Sequence, residues 1–82
     1  MKTAEILNYI DYRGFSHVDK PQVGIIFNKG EKYLIESLYD DMAALYCNKG
    51  NVEGYWPIER KDIKIHGFWK TLYWLLTGKL NK

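Results

Sequence analysis

The stretch "SLYDDMAALYCNKG", residues 37–50, decides the fold, because it reads as two different elements depending on which period governs it. As a helix, Ser37 and Asp40 mimic a capping box, Leu38, Met42, Leu45 and Tyr46 share one face, and Gly50 ends it. As a strand, Asp40-Asp41 form a loop, and Met42, Ala44 and Tyr46 alternate against Ala43, Leu45 and Cys47. The strand is the preferred reading because an acidic pair between two apolar segments suits a turn, although the helix stays open.

Neighbouring segments extend the β reading. Val23–Phe27 is a β-branched and aromatic run, and Lys32–Ser37 places Tyr33 and Ile35 on one face with Glu36 on the other. The tripeptide Asn-Lys-Gly occurs at 28–30 and again at 48–50, each copy suiting a hairpin end. Val52–Ile58 reads as a further strand, which Pro57 confines to an edge or an ending, and Asp62–Ile65 as a short last one. Before these, Thr3 as N-cap, Glu5 as first-turn acid, Ile6, Leu7 and Ile10 as a stripe, and Gly14 as a stop predict a helix over residues 4–12. Phe15–Gln22 reads as a turn.

Taken together, "FNKGEKYLIESLYDDMAALYCNKGNVEGYWPIERKDIKI" resembles a Src-homology-3-like barrel over residues 23–65. The carriers are a diverging turn at Lys29-Gly30-Glu31, an acidic loop at Asp40-Asp41, a distal turn at Gly50, then Gly54-Tyr55-Trp56-Pro57 and a last strand at Ile63. Met42 and Ala43 stand where peptide-binding members carry a groove tryptophan, and Ile58-Glu59-Arg60-Lys61 replaces the tyrosine after the proline. The resemblance therefore implies a scaffold of the Lys-Gly-x-x-Tyr-x-Ile type met in bacterial and bacteriophage proteins, not a reader of proline-rich peptides. The expected class is α+β, mainly β: one domain over residues 1–82, a small antiparallel barrel flanked by an N-terminal helix and a C-terminal amphipathic helix over residues 68–80.

Composition narrows the function. At 82 residues the chain buries only about 60 per cent of its extended surface, so its three Trp, seven Tyr and three Phe carry much of the core. A single cysteine, Cys47, excludes an internal disulfide, and with two histidines it is too few for structural zinc. His17 and His66 are isolated, Asp40-Asp41 reads as a solvated turn, and the glycines are spaced as turns instead of a phosphate cradle. No enzyme chemistry, metal or cofactor is expected. The N-terminus lacks the apolar run of a secretory signal, so a cytoplasmic protein is expected, in the host cytoplasm if phage-encoded. No apolar stretch reaches the ~20 residues of a membrane span.

Net charge is +2, but residues 59–82 carry six Lys/Arg against two acids, whereas residues 1–58 carry six against eight. In this basic tail, "GFWKTLYWLLTGK" (67–79) sets Trp69, Leu72, Tyr73, Leu76 and Leu80 on one helical face, widened by Phe68, Trp74 and Leu75, with Lys70, Thr71, Thr77 and Lys79 left for water. That stripe is wider than one core contact needs. Part of it is expected to close the barrel against the N-terminal helix and the remainder to meet a partner. The expected function is a non-enzymatic protein-interaction module, with Tyr55, Trp56, Arg60, Trp69, Lys70, Tyr73 and Trp74 as partner-binding residues; the family resemblance alone implies a bacteriophage-encoded protein that binds and modulates or inhibits a host protein. Two alternatives remain: a nucleic-acid-associated barrel using Arg60, Lys61 and Lys64 beside exposed Tyr55 and Trp56, and a homodimer through the aromatic helix. A membrane partner is disfavoured, since cations are few and no lipid anchor is evident.

Overall fold

The computed structural model describes residues 1–11, 25–49 and 52–80. Its elements run β1 (Thr3–Ile6), β2 (Ile10–Asp11), β3 (Ile26–Phe27), β4 (Lys32–Leu38), β5 (Met42–Lys49), β6 (Val52–Glu59), a 3-10 turn (Arg60–Asp62), β7 (Ile63–His66) and α1 (Phe68–Thr77). Five strands form one antiparallel sheet in the order β6-β5-β4-β1-β7, and β2 pairs with β3 separately. The class is α+β, mainly β. The expected barrel is corrected to an open sheet: β6 and β7 are its two edges and do not pair with one another.

Residues 37–49 resolve as the strand reading, with Asp40 and Asp41 exposed in the turn and the Tyr39 amide donating to the Met42 carbonyl at 2.8 Å. Alternation then sorts β5, sending Ala43, Leu45 and Cys47 into the core. Opposite them, Trp56 and Ile58 of β6 point the same way. The register with β4 slips between Ile35 and Ser37, so Leu38 sits opposite Ala43. This bulge returns Leu38 to the core-facing side, which strict alternation from Tyr33 and Ile35 would deny it.

The helix expected over residues 4–12 is replaced by β1 and β2. Ala4 and Ile6 are fully buried while Leu7 is exposed, the signature of period two rather than of a helical stripe. The physical reason is tertiary: β1 fills the slot between β4 and β7, with Ala4 opposite Tyr33 and Ile65. A nine-residue helix alone is marginal in water, so two ladders of hydrogen bonds outweigh the local pattern. Gly14 and Phe15–Gln22 lie outside the described residues, as does Gly50 of the second Asn-Lys-Gly tripeptide. The first tripeptide is a turn as expected: Gly30 has φ +91°, and the Glu31 carboxylate accepts from the Asn28 amide at 2.6 Å.

One face of the sheet carries the core. Ala4, Ile6, Tyr33, Leu45, Ile58 and Ile63 pack there with Ile25 and Phe27, and the Phe27 and Tyr33 rings meet edge to face at 5.4 Å. The other face carries Thr3, where α1 docks.

Candidate partner-binding surface

The sequence after β7 turns directly into α1 through Gly67, and the helix lies across the outer face of the sheet. Its docked residues are Thr71 and Trp74, three apart and therefore on one side. The Thr3 hydroxyl donates to the Thr71 hydroxyl at 2.7 Å, and Thr71 in turn donates to the Gly67 carbonyl at 2.8 Å, so both buried hydroxyls are satisfied. Thr71 was expected to face water; its placement here is a correction. The helix ends at Thr77, not near residue 80, because Gly78 adopts φ +70°. The Lys79 and Gly78 amides then return to the Trp74 and Leu75 carbonyls, a Schellman closure.

Trp74 is 6% exposed and is framed by polar groups. The His66 ring meets it edge-on at 4.8 Å, and the Lys32 and Lys70 amines lie 5.2 and 5.4 Å from its centroid. His66 Nε2 also contacts the Glu5 carboxylate at 2.9 Å. The floor beneath α1 thus carries hydroxyl, carboxylate, imidazole and ammonium groups from β1, β4 and β7. An indole, which accepts cations over its face, suits such a floor better than leucine does.

The consequence is that the widest apolar stripe of α1 points away from the protein. Trp69 and Leu76 are each 79% exposed, and Tyr73 and Phe68 about half. Phe68 and Trp69 stack edge to face at 5.1 Å. Along the helix flank, Leu75 and Leu80 meet Leu34 of β4 and Tyr46 of β5 around an apolar cavity of about 360 Å³, which also touches Cys47, Asn48 and Gly54. Tyr46 faces Tyr55 across the β5–β6 pair, with ring centroids 5.1 Å apart. Partial desolvation, and then the neighbouring Tyr55, hold the Tyr46 phenol above its usual pKa.

The seven residues expected to bind a partner therefore separate. Trp69, Tyr73 and exposed Lys70 lie on α1, and Tyr55 lies near its C-terminal flank beside Tyr46. Trp74 is buried under the helix, and Trp56, 4% exposed, belongs to the core. Tyr55 and Trp56 project from opposite faces of β6, so they do not form the stacking platform expected for a nucleic-acid partner. Arg60 sits at the other end of β6, roughly 16 Å along the strand from Tyr55, where its guanidinium donates to the Tyr39 carbonyl at 2.9 Å. Lys61 pairs with Glu59 at 3.4 Å, an exposed ion pair of little energetic weight.

Phe68 and Leu76 join the exposed surface without having been singled out as binding residues, as do Tyr46 and the cavity walls. Tyr46 was legible: a hairpin register that places Lys49 opposite Val52 sets Tyr46 opposite Tyr55. Among the described residues no group of three or more His, Cys, Asp or Glu side chains could hold a metal, and no helix is long and apolar enough to cross a membrane. Comparison with protein-family models, curated proteins and solved structures gives no match to this chain.

Proposed function

We propose that this chain is a non-enzymatic protein-interaction module of Src-homology-3-like organisation that docks through the outward face of α1. The observation that carries the reading is the 79% exposure of both Trp69 and Leu76 on one helix face while the chain buries Trp74 on the other. Isolated exposed apolar residues are ordinary, but Phe68, Trp69, Tyr73 and Leu76 exposed together on one short helix make an apolar patch of the kind that marks an interaction site, and Trp and Tyr are the residues that dominate binding hot spots. The turns at 28–31 and 39–42, the β5–β6 hairpin and the short β7 fall where the family resemblance puts them, which supports the scaffold reading.

The test is capture with the immobilised protein and with a Trp69→Ala/Tyr73→Ala variant. Both residues are surface-exposed, so the variant keeps the fold. Loss of a dominant bound protein with the variant, and its retention with Tyr39→Ala at the far turn, is the expected result. Identical capture by the wild type and the helix variant overturns the proposal.

A further inference from the structure

The helix face and the neighbouring cavity are complementary to one another. Trp69 projects from the first turn of α1, whereas the cavity opens beside Leu75 and Leu80 at the other end, about 9 Å further along the axis. One molecule cannot insert its own Trp69 there, but a second copy turned end for end can. We infer that the occupant of this face is another copy of the same chain, in an antiparallel α1–α1 pair whose two-fold axis passes between Leu72 and Tyr73. The inference rests on the interaction reading above and names its partner.

Three observations converge on it. First, an axis at that position sets Trp69 of one copy against Leu76 and the cavity mouth of the other, and the reciprocal contact follows by symmetry, so the assembly closes as a dimer. A cavity of about 360 Å³ is roomy enough for an indole. Second, charge selects the direction. A parallel pair would align the two helix dipoles side by side, whereas the antiparallel pair opposes them.

Third, the area suffices. Allowing ~150–250 Å² for an aromatic side chain, the exposed parts of Phe68, Trp69, Tyr73 and Leu76 amount to about 500 Å² per copy. Adding Leu75, Tyr46 and Tyr55 around the cavity brings the area available over two copies to at most roughly 1,500 Å², which full coverage would carry into the range of stable interfaces.

Sedimentation of the full chain between ~1 and ~500 µM tests this, with a species of twice 9.7 kDa expected. Trp69→Glu should raise the dissociation constant at least about 30-fold, with the far-ultraviolet circular dichroism unchanged. Oxidative cross-linking reports the direction: Tyr73→Cys, beside the axis, forms a disulfide-linked dimer, while Lys79→Cys, past the end of a helix whose rise already holds the two Thr77 positions ~14 Å apart, does not. The wild type, whose Cys47 is buried, gives no cross-link. A dimer indifferent to Trp69→Glu, or one cross-linked through Lys79→Cys, overturns the inference. A monomer at every concentration that still captures another protein through Trp69 refutes the second copy alone; absence of both activities refutes the interaction reading as well.

Discussion

Trp69 and Trp74 stand five residues apart on one ten-residue helix, yet the first is 79% exposed and the second 6%. Hydrophobicity alone would dock the stripe containing Trp69, Leu72, Tyr73 and Leu76, because it holds the most apolar area. The face that docks instead carries a threonine and a tryptophan whose neighbours are Thr3, His66 and two lysine amines. A helix chooses the face whose polar groups find partners on the surface it meets, and the outer face beneath Thr71 and Trp74, at Thr3, Glu5, Lys32 and His66, is polar. A buried hydroxyl without a partner costs ~1–3 kcal/mol, while a half-wet leucine loses less than its full burial. The apolar stripe is thereby left exposed.

Breaking the docked side should have the larger effect. Trp74→Ala removes the ring shared by His66, Lys32 and Lys70, and a loss of about 3–5 kcal/mol in urea unfolding is expected, enough to threaten so small a domain. A loss under 1 kcal/mol would show that α1 is not held by this residue.

Thr71→Val sharpens the argument for polar matching. It strands the Thr3 hydroxyl and should cost about 1–3 kcal/mol, whereas Thr3→Val/Thr71→Val together should recover part of that loss. Simple additivity of the two substitutions would remove the hydroxyl pair from the account.

The core face offers a titration. Burial, and then the nearby Glu31 carboxylate, raise the Tyr33 phenol above its ordinary pKa of about 10. The folded state thus keeps a proton that the unfolded chain releases, so this contribution is whole below pH ~10 and fades above it. Unfolding free energy should fall by up to ~1.4 kcal/mol per pH unit beyond 10, and Tyr33→Phe should flatten that slope; an unchanged slope would place the titration elsewhere.

Gly78→Ala forces a side chain into φ +70° with open space around it, a purely conformational penalty of about 1 kcal/mol in thermal unfolding. Trp69→Ala, at the exposed end of the comparison, should leave the stability of the monomer within ~0.5 kcal/mol. A large loss there would mean that the ring is docked after all.

Much of the sheet was legible because its strands obey period two with short turns between them. Ala43, Leu45 and Cys47 against Met42, Ala44 and Tyr46 made β5 the preferred reading of a stretch that also allows a helix, and the same count marks β6 around Trp56 and Ile58. The candidate surface was legible in part. Trp69 and Tyr73 stand where the helical stripe puts them, but Trp56 and Trp74 were drawn to it only because large aromatics suit a binding face as well as a core.

The chain by itself determined the alternation at Tyr33 and Ile35 of β4 and along β6, the turn at Gly30, the helix after Gly67 and an apolar stripe too wide for one contact, since each follows from spacing and local backbone preference, whereas between helix and strand for β5 it gave only a preference. Tertiary structure alone decided that residues 3–6 are a strand, that a bulge turns Leu38 inward, that the sheet stays open and that α1 rests on Thr71 and Trp74. Those outcomes depend on which partners stand across the space, Tyr33 and Ile65 for Ala4 and Thr3 for Thr71, and no local pattern encodes a neighbour thirty or sixty residues away.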